Sequence, residues 1–148
     1  MTPTSAIGAA EVRVVNDPMV SSARRANRAS SATGWVLTVL VGLFLLIDGG
    51  ARVAGFKPYV DGLTQFGYPT SLAMPIGLSL MISTLLMLVP RTAILGSIPV
   101  TEYLGGATAT QVRVQDAWFQ FPGVLGAMAW LGLYLRDGRV RELIPLRR

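Results

Sequence analysis

The chain has 148 residues, of which 51% are hydrophobic and 14% charged, with a formal net charge of +5 and a mean hydropathy of +0.50. With no Cys and no His it forms no disulfide, thiolate site or imidazole metal site, and no Ser-His-Asp catalysis. Twelve of the 13 basic residues are Arg, mostly flanking apolar runs and without the aromatic interleaving of a single-strand binder, which argues against nucleic acid as a partner.

Residues 1–33 are rich in Ser, Thr, Ala and Arg and carry no apolar period, so they read as a disordered tail. Nothing before Met19 looks structural, which makes Met19 a second candidate start. Trp35 then opens the first apolar run as an interfacial anchor. Arg24, Arg25 and Arg28 before Trp35–Ile47 resemble a signal peptide. No clean cleavage site follows, and three more apolar spans do, so the reading is an uncleaved helix.

A span needs about 20 mostly apolar residues. Four runs meet that: Gly34–Ala54, Pro69–Val89, Thr92–Gln111 and Phe119–Leu135. Together they hold three of the chain's 21 charges: Asp48, Arg52 and Glu102. The pattern predicts an all-α integral membrane four-helix bundle, with a transmembrane domain over 34–136 and a basic cytoplasmic tail over 137–148. Residues 55–68 read as the longest loop. Pro90-Arg91 is so short a link that the second and third helices must form an antiparallel hairpin.

Orientation follows from basic residues. With both termini in the cytoplasm, ten Lys and Arg lie inside and three lie outside, which the positive-inside rule favours. Lipid supplies no hydrophobic force between helices, so close approach of small residues must. Ala93, Ser97, Thr101, Gly105 and Ala109 recur every four residues in the third helix, and Gly106 widens that face. This predicts the third helix as the centre of the bundle. Gly123, Gly126, Ala127 and Gly132 are the fourth helix's counterparts.

Polar residues in the spans are the candidates for function. Glu102 lies near the middle of its span, where an ionised acid costs about 2.5–3.5 kcal/mol. It is expected to point into the bundle, as a proton or ligand site or as a protonated hydrogen-bonding group. Asp48 and Arg52 stand four apart, acid first, in the favoured order for a helical ion pair. With Tyr68, Tyr103, Gln111, Arg113 and Asp116 they are predicted to gather near the outer end of the bundle. Asp48, Arg52, Gln111 and Arg113 would line a ligand or partner pocket with Glu102 beneath it. The alternative is a salt-bridge cap in which Asp48 and Asp116 neutralise Arg52 and Arg113. No metal site is expected.

Several motifs, in order, resemble the DoxX-like membrane proteins. They are Leu43-Phe44-Leu45-Leu46-Ile47-Asp48-Gly49 with Arg52, Gly67-Tyr68-Pro69, Pro90-Arg91-Thr92, Tyr103 through Thr110 with Val112-Arg113-Val114, and Gly132 through Asp137. The resemblance spans about residues 34–146. It implies a four-helix protein of the bacterial inner membrane, in a family that includes subunits linked to quinone-coupled sulfur oxidation, partners of redox enzymes and assembly helpers. Gln111 stands where that pattern commonly has His, Glu102 where a small residue is usual, and Gln115 where a Gly precedes Asp116. The expected role is an accessory or assembly component rather than an enzyme, working with a partner membrane protein or as a homo-oligomer. The alternative is a quinone-binding subunit of a membrane oxidoreductase.

Overall fold

The computed structural model describes the backbone of residues 18–143 and the side-chain surroundings of residues 27–142. Its helices are α1 (Pro18–Val53), α2 (Lys57–Gln65), α3 (Ala73–Leu88, preceded by a 3-10 turn over Thr70–Leu72), α4 (Ala93–Arg113), α5 (Gln120–Arg136) and α6 (Gly138–Leu143). There is no strand among the described residues.

The four long helices pack in a cycle. α1 lies against α3 and α5, and α4 lies against the same two from the other side. Val41, Leu45, Leu80, Met87, Val100, Leu104, Leu125 and Ala129 meet at the centre. Three of the contacts are closed by glycine. A Cβ on Gly34 would sit 2.7 Å from the Gly132 carbonyl oxygen, one on Gly77 2.6 Å from that of Gly49, and one on Gly96 2.2 Å from the Met87 nitrogen. Backbones touch there directly, as expected where packing rather than hydrophobic force joins helices.

The expected seam on the third predicted helix is corrected by this packing. Ala93 and Ser97 are buried, but Thr101, Gly105, Gly106 and Ala109 are not, and nothing lies within 4 Å of a Cβ placed on Gly105 or Gly106. A four-residue spacing drifts around a 3.6-residue helix. The row therefore leaves the interface after Ser97, and Val100 and Leu104 take over. Gly123 likewise meets open space, whereas Gly132 is at the α1 contact.

Three predicted boundaries also change. α1 begins at Pro18, so residues 18–33 are helical where a disordered tail is expected; the rest of that tail, 1–17, lies outside the described residues. The expected loop over 55–68 contains α2, started by Pro58 in its first turn and held by Leu63, which is buried. The predicted basic tail folds through 143 as α6. Val140 packs with Ala93 and Leu133 there.

Among the described residues two helices are long and apolar enough to cross a membrane, Asn27–Val53 and Thr70–Leu88. The other two predicted spans differ for separate reasons. α5 has 17 residues, about 25 Å at 1.5 Å each, against a ~30 Å hydrocarbon layer. α4 has 21 residues but carries Glu102, Arg113 and several hydroxyls. Those hydroxyls fold back on the helix: Ser97 donates to the Ala93 carbonyl at 2.8 Å, Thr101 to Ser97 at 2.7 Å and Thr108 to Leu104 at 2.9 Å. Such bonding covers their polarity within the helix itself.

Arg136, Arg139 and Arg141 bind backbone carbonyls at this end of the fold. Arg136 Nη2 donates to the Met87 carbonyl at 2.6 Å, and its guanidinium lies 4.5 Å from the centre of the Trp35 ring. Arg139 donates to the Pro90 carbonyl at 2.8 Å. Arg141 donates to the carbonyls of Tyr134 and Leu135. The last carbonyls of α3 and α5 lack intrahelical donors, and cations satisfy them while complementing the helix dipoles.

Candidate functional site

At the opposite end, around α2, the four helices frame an open-sided cavity of about 750 Å3. That size suits a small-molecule pocket. Phe44 and Leu45 of α1, Pro75, Ile76 and Leu80 of α3, and Phe121, Pro122 and Leu125 of α5 form most of its apolar wall. Leu63 and Phe66 also line it, so the segment expected to be loop contributes to the wall. On the α3–α4 side it is lined by Ser79 and Ser83 facing Pro99, Glu102 and Gly106. These lie beyond Gly96, where the two helices touch.

One polar cluster stands among these walls. Arg52 Nη2 donates to Asp48 Oδ1 at 3.1 Å and Arg52 Nε to Asp48 Oδ2 at 3.3 Å. Tyr103 donates to Asp48 Oδ2 at 2.6 Å. The Arg52 and Asp48 side chains are 18% and 14% exposed. A buried ion pair is tolerated when further hydrogen bonds satisfy it, and here Asp48 accepts three. Its acid-first spacing on α1 fixes the pair, and α4 delivers the Tyr103 hydroxyl.

Six of the eight predicted site residues line this cavity: Asp48, Arg52, Tyr68, Glu102, Tyr103 and Gln111. Arg113 and Asp116 do not. Arg113 donates to the Phe66 carbonyl and lies 5.9 Å from the Tyr68 ring centre, tying the end of α4 to the turn after α2. Asp116 accepts from the Trp118 backbone N–H at 2.9 Å. The expected pairing of Asp116 with Arg113 is thus not formed: each has taken a nearer backbone partner.

Glu102 also departs from expectation. It is exposed on the cavity margin rather than turned inside, and it makes no hydrogen bond among the described residues. Tyr68 bonds Thr110 at 3.2 Å. The buried Oε1 of Gln111 has no partner among the described residues. The apolar wall residues were not singled out in the sequence, because Phe, Leu and Pro in a membrane-like run carry no mark that separates a cavity wall from a lipid face.

No group of Asp and Glu among the described residues has the arrangement to hold a metal ion. No match was found among curated proteins or among solved structures. A family model does match residues 36–132, from the start of the apolar part of α1 to the Gly132 contact in α5, and by that match the chain belongs to the DoxX-like family.

Proposed function

We propose that this chain is a multi-pass, four-helix integral protein of a bacterial inner membrane, with both termini in the cytoplasm. In this reading it serves as an accessory component whose cavity receives a lipophilic molecule with a polar head. The outward faces support the membrane assignment. Val36, Leu40, Leu43 and Ile47 on α1, Met74, Leu78 and Ile82 on α3, Leu95 and Ile98 on α4, and Val124 and Leu131 on α5 are all exposed. All four long helices thus present apolar side chains outward, including the two that are short or polar for a span. A water-soluble monomer rarely exposes contiguous apolar patches beyond a few hundred Å2.

The observation that carries the ligand reading is the Asp48–Arg52–Tyr103 cluster set into an apolar cavity of about 750 Å3. An oily wall with a few convergent polar groups is the usual form of a small-molecule site. A quinone fits that description: Arg52 supplies a donor for a ring carbonyl, and the apolar walls suit a prenyl tail. That fit supports the second reading, a quinone-binding subunit of a membrane oxidoreductase. In either reading the chain works beside a partner membrane protein or as a homo-oligomer.

Gentle solubilisation followed by solvent extraction and mass spectrometry tests the ligand. A stoichiometric lipophile with a polar head, lost in Asp48→Asn, is expected; an extract holding only bulk phospholipid would reject the reading. A reporter active only outside the cytoplasm, fused after Arg148, should stay silent, and a strong signal would overturn the orientation.

A further inference from the structure

Glu102 unbalances the charge of the cavity. The charged side chains that line it are Asp48, Arg52 and Glu102. Asp48 and Arg52 pair at 3.1 Å and cancel. Glu102 has no ion pair among the described residues, so the lining keeps one surplus negative charge. The other charged residues at this end, Lys57, Asp61, Arg113 and Asp116, do not line it. Ser79, Glu102 and Gly106 line the cavity where α3 and α4 part, and all three are exposed, so the cavity reaches the surface there. Glu102 stands near the middle of α4. In the membrane reading that opening faces hydrocarbon, where an ionised acid without a partner is costly. The rings of Phe44, Phe66, Tyr68, Tyr103 and Phe121 also line the cavity, and aromatic faces attract cations.

Resting on the proposed reading that the cavity takes a lipophile, we propose that it selects a head group with a single positive charge, an amine or a quaternary ammonium, with Glu102 as its counter-ion. Such a head exchanges its hydration for the Glu102 carboxylate and the ring faces. An anionic head meets the surplus carboxylate and finds Arg52 already paired with Asp48. A neutral head leaves Glu102 without a partner. The apolar tail lies along the Phe and Leu walls, and the gap between α3 and α4 admits it from the bilayer.

The test uses the full chain in phosphatidylcholine nanodiscs, with empty discs as the baseline. Three probes share one decyl tail: decyltrimethylammonium, decanol and decanesulfonate. Saturable binding is measured by equilibrium dialysis. Decyltrimethylammonium is expected to bind at least about tenfold more tightly than either other probe, the scale of one partly desolvated charge contact. Glu102→Gln should bring its affinity down to that of decanol. Glu102→Lys should transfer the preference to decanesulfonate.

Native protein that binds decanol or decanesulfonate as tightly as the ammonium overturns the inference while the cavity reading stands. A cation preference that persists in Glu102→Gln also overturns it, because the attraction then lies outside Glu102. Saturable binding of no probe sinks the cavity reading and the inference together. If either variant fails to fold, the ranking of the three probes on the native chain still decides.

Discussion

Tyr103 on α4 donates its hydroxyl proton to Asp48 on α1 at 2.6 Å, joining two helices that do not lie side by side. The bond crosses the cavity end of the fold, where α1 and α4 are otherwise separated by cavity. It also completes the solvation of a carboxylate that is 14% exposed.

Tyr103→Phe should therefore destabilise the protein by about 1–2 kcal/mol, the scale of interhelical hydrogen bonds in membranes and of bonds to charged groups. Unfolding in mixed micelles measures it. Because the two residues share one bond, Tyr103→Phe and Asp48→Asn should be non-additive. Strict additivity would mean that the hydroxyl and carboxylate do not interact.

Glycine tolerance separates the helix faces. Gly96→Ala puts a methyl 2.2 Å from the Met87 nitrogen and 2.6 Å from the Leu86 carbonyl carbon, both backbone atoms that cannot rotate away. A loss of about 2–3 kcal/mol is expected, as for overpacking. Gly105→Ala meets nothing within 4 Å and should stabilise α4 by about 0.5–1 kcal/mol. The two variants measured side by side in detergent should move in opposite directions; equal losses would reject the packing described here.

Glu102→Leu should leave stability within about 0.5 kcal/mol of native, as surface changes usually do. The side chain is exposed and makes no hydrogen bond among the described residues. A loss above about 1 kcal/mol in the same unfolding assay would show a partner that the fold does not reveal.

Much of this architecture was legible because periodicity and charge segregation act over whole helices. The long apolar runs mark the four helices to within a few residues at most ends, and the acid-first spacing of Asp48 and Arg52 finds their ion pair. Three-dimensional choices were less legible. Whether Gly105 or Gly96 meets a neighbour depends on where α3 crosses α4, and both are small residues in an apolar run. Arg113 and Asp116 are close in sequence and opposite in charge, yet the Phe66 carbonyl and the Trp118 N–H lie nearer. α2 is amphipathic, with Tyr59, Val60 and Leu63 turned inward, but its nine residues are shorter than the stretch over which a period is read, and Pro58 and Gly62 mark the segment as loop.

Arg139 holds the Asp137 carboxyl below the usual carboxylate range, chiefly through a side-chain hydrogen bond and also by charge. The folded value is depressed, so the stabilisation is complete above the unfolded pKa of about 3.9 and is lost as pH falls through the lower folded value. Asp137→Asn should flatten that acid-side loss slightly, since the pair is solvent-screened. Stability measured from pH 6 down to pH 3 in native and variant checks the sign. A variant curve steeper than native would contradict it.

The last prediction concerns three helix ends built alike. After α1, the Phe56 N–H reaches the Ala51 carbonyl at 2.9 Å and the Gly55 N–H that of Arg52 at 3.2 Å. After α2, Tyr68 reaches Leu63 at 2.9 Å and Gly67 reaches Thr64 at 3.0 Å. After α4, Asp116 reaches Gln111 at 3.0 Å and Gln115 reaches Val112 at 3.1 Å. These paired bonds form the Schellman closure, whose turning residue adopts left-handed backbone and is usually Gly. Gly55 and Gly67 sit there at φ +69° and +81°, but Gln115 does so at φ +57°. For a residue with a Cβ that conformation costs about 1–2 kcal/mol, while glycine adds about 0.5–1 kcal/mol of unfolded-state entropy. Gln115→Gly should thus gain about 0.5–1 kcal/mol by the difference between those two costs, whereas Gly67→Gln should lose at least as much. Thermal unfolding of both variants in one detergent reads the two signs. A destabilised Gln115→Gly would mean that the Gln115 side chain holds a contact worth more than its backbone strain.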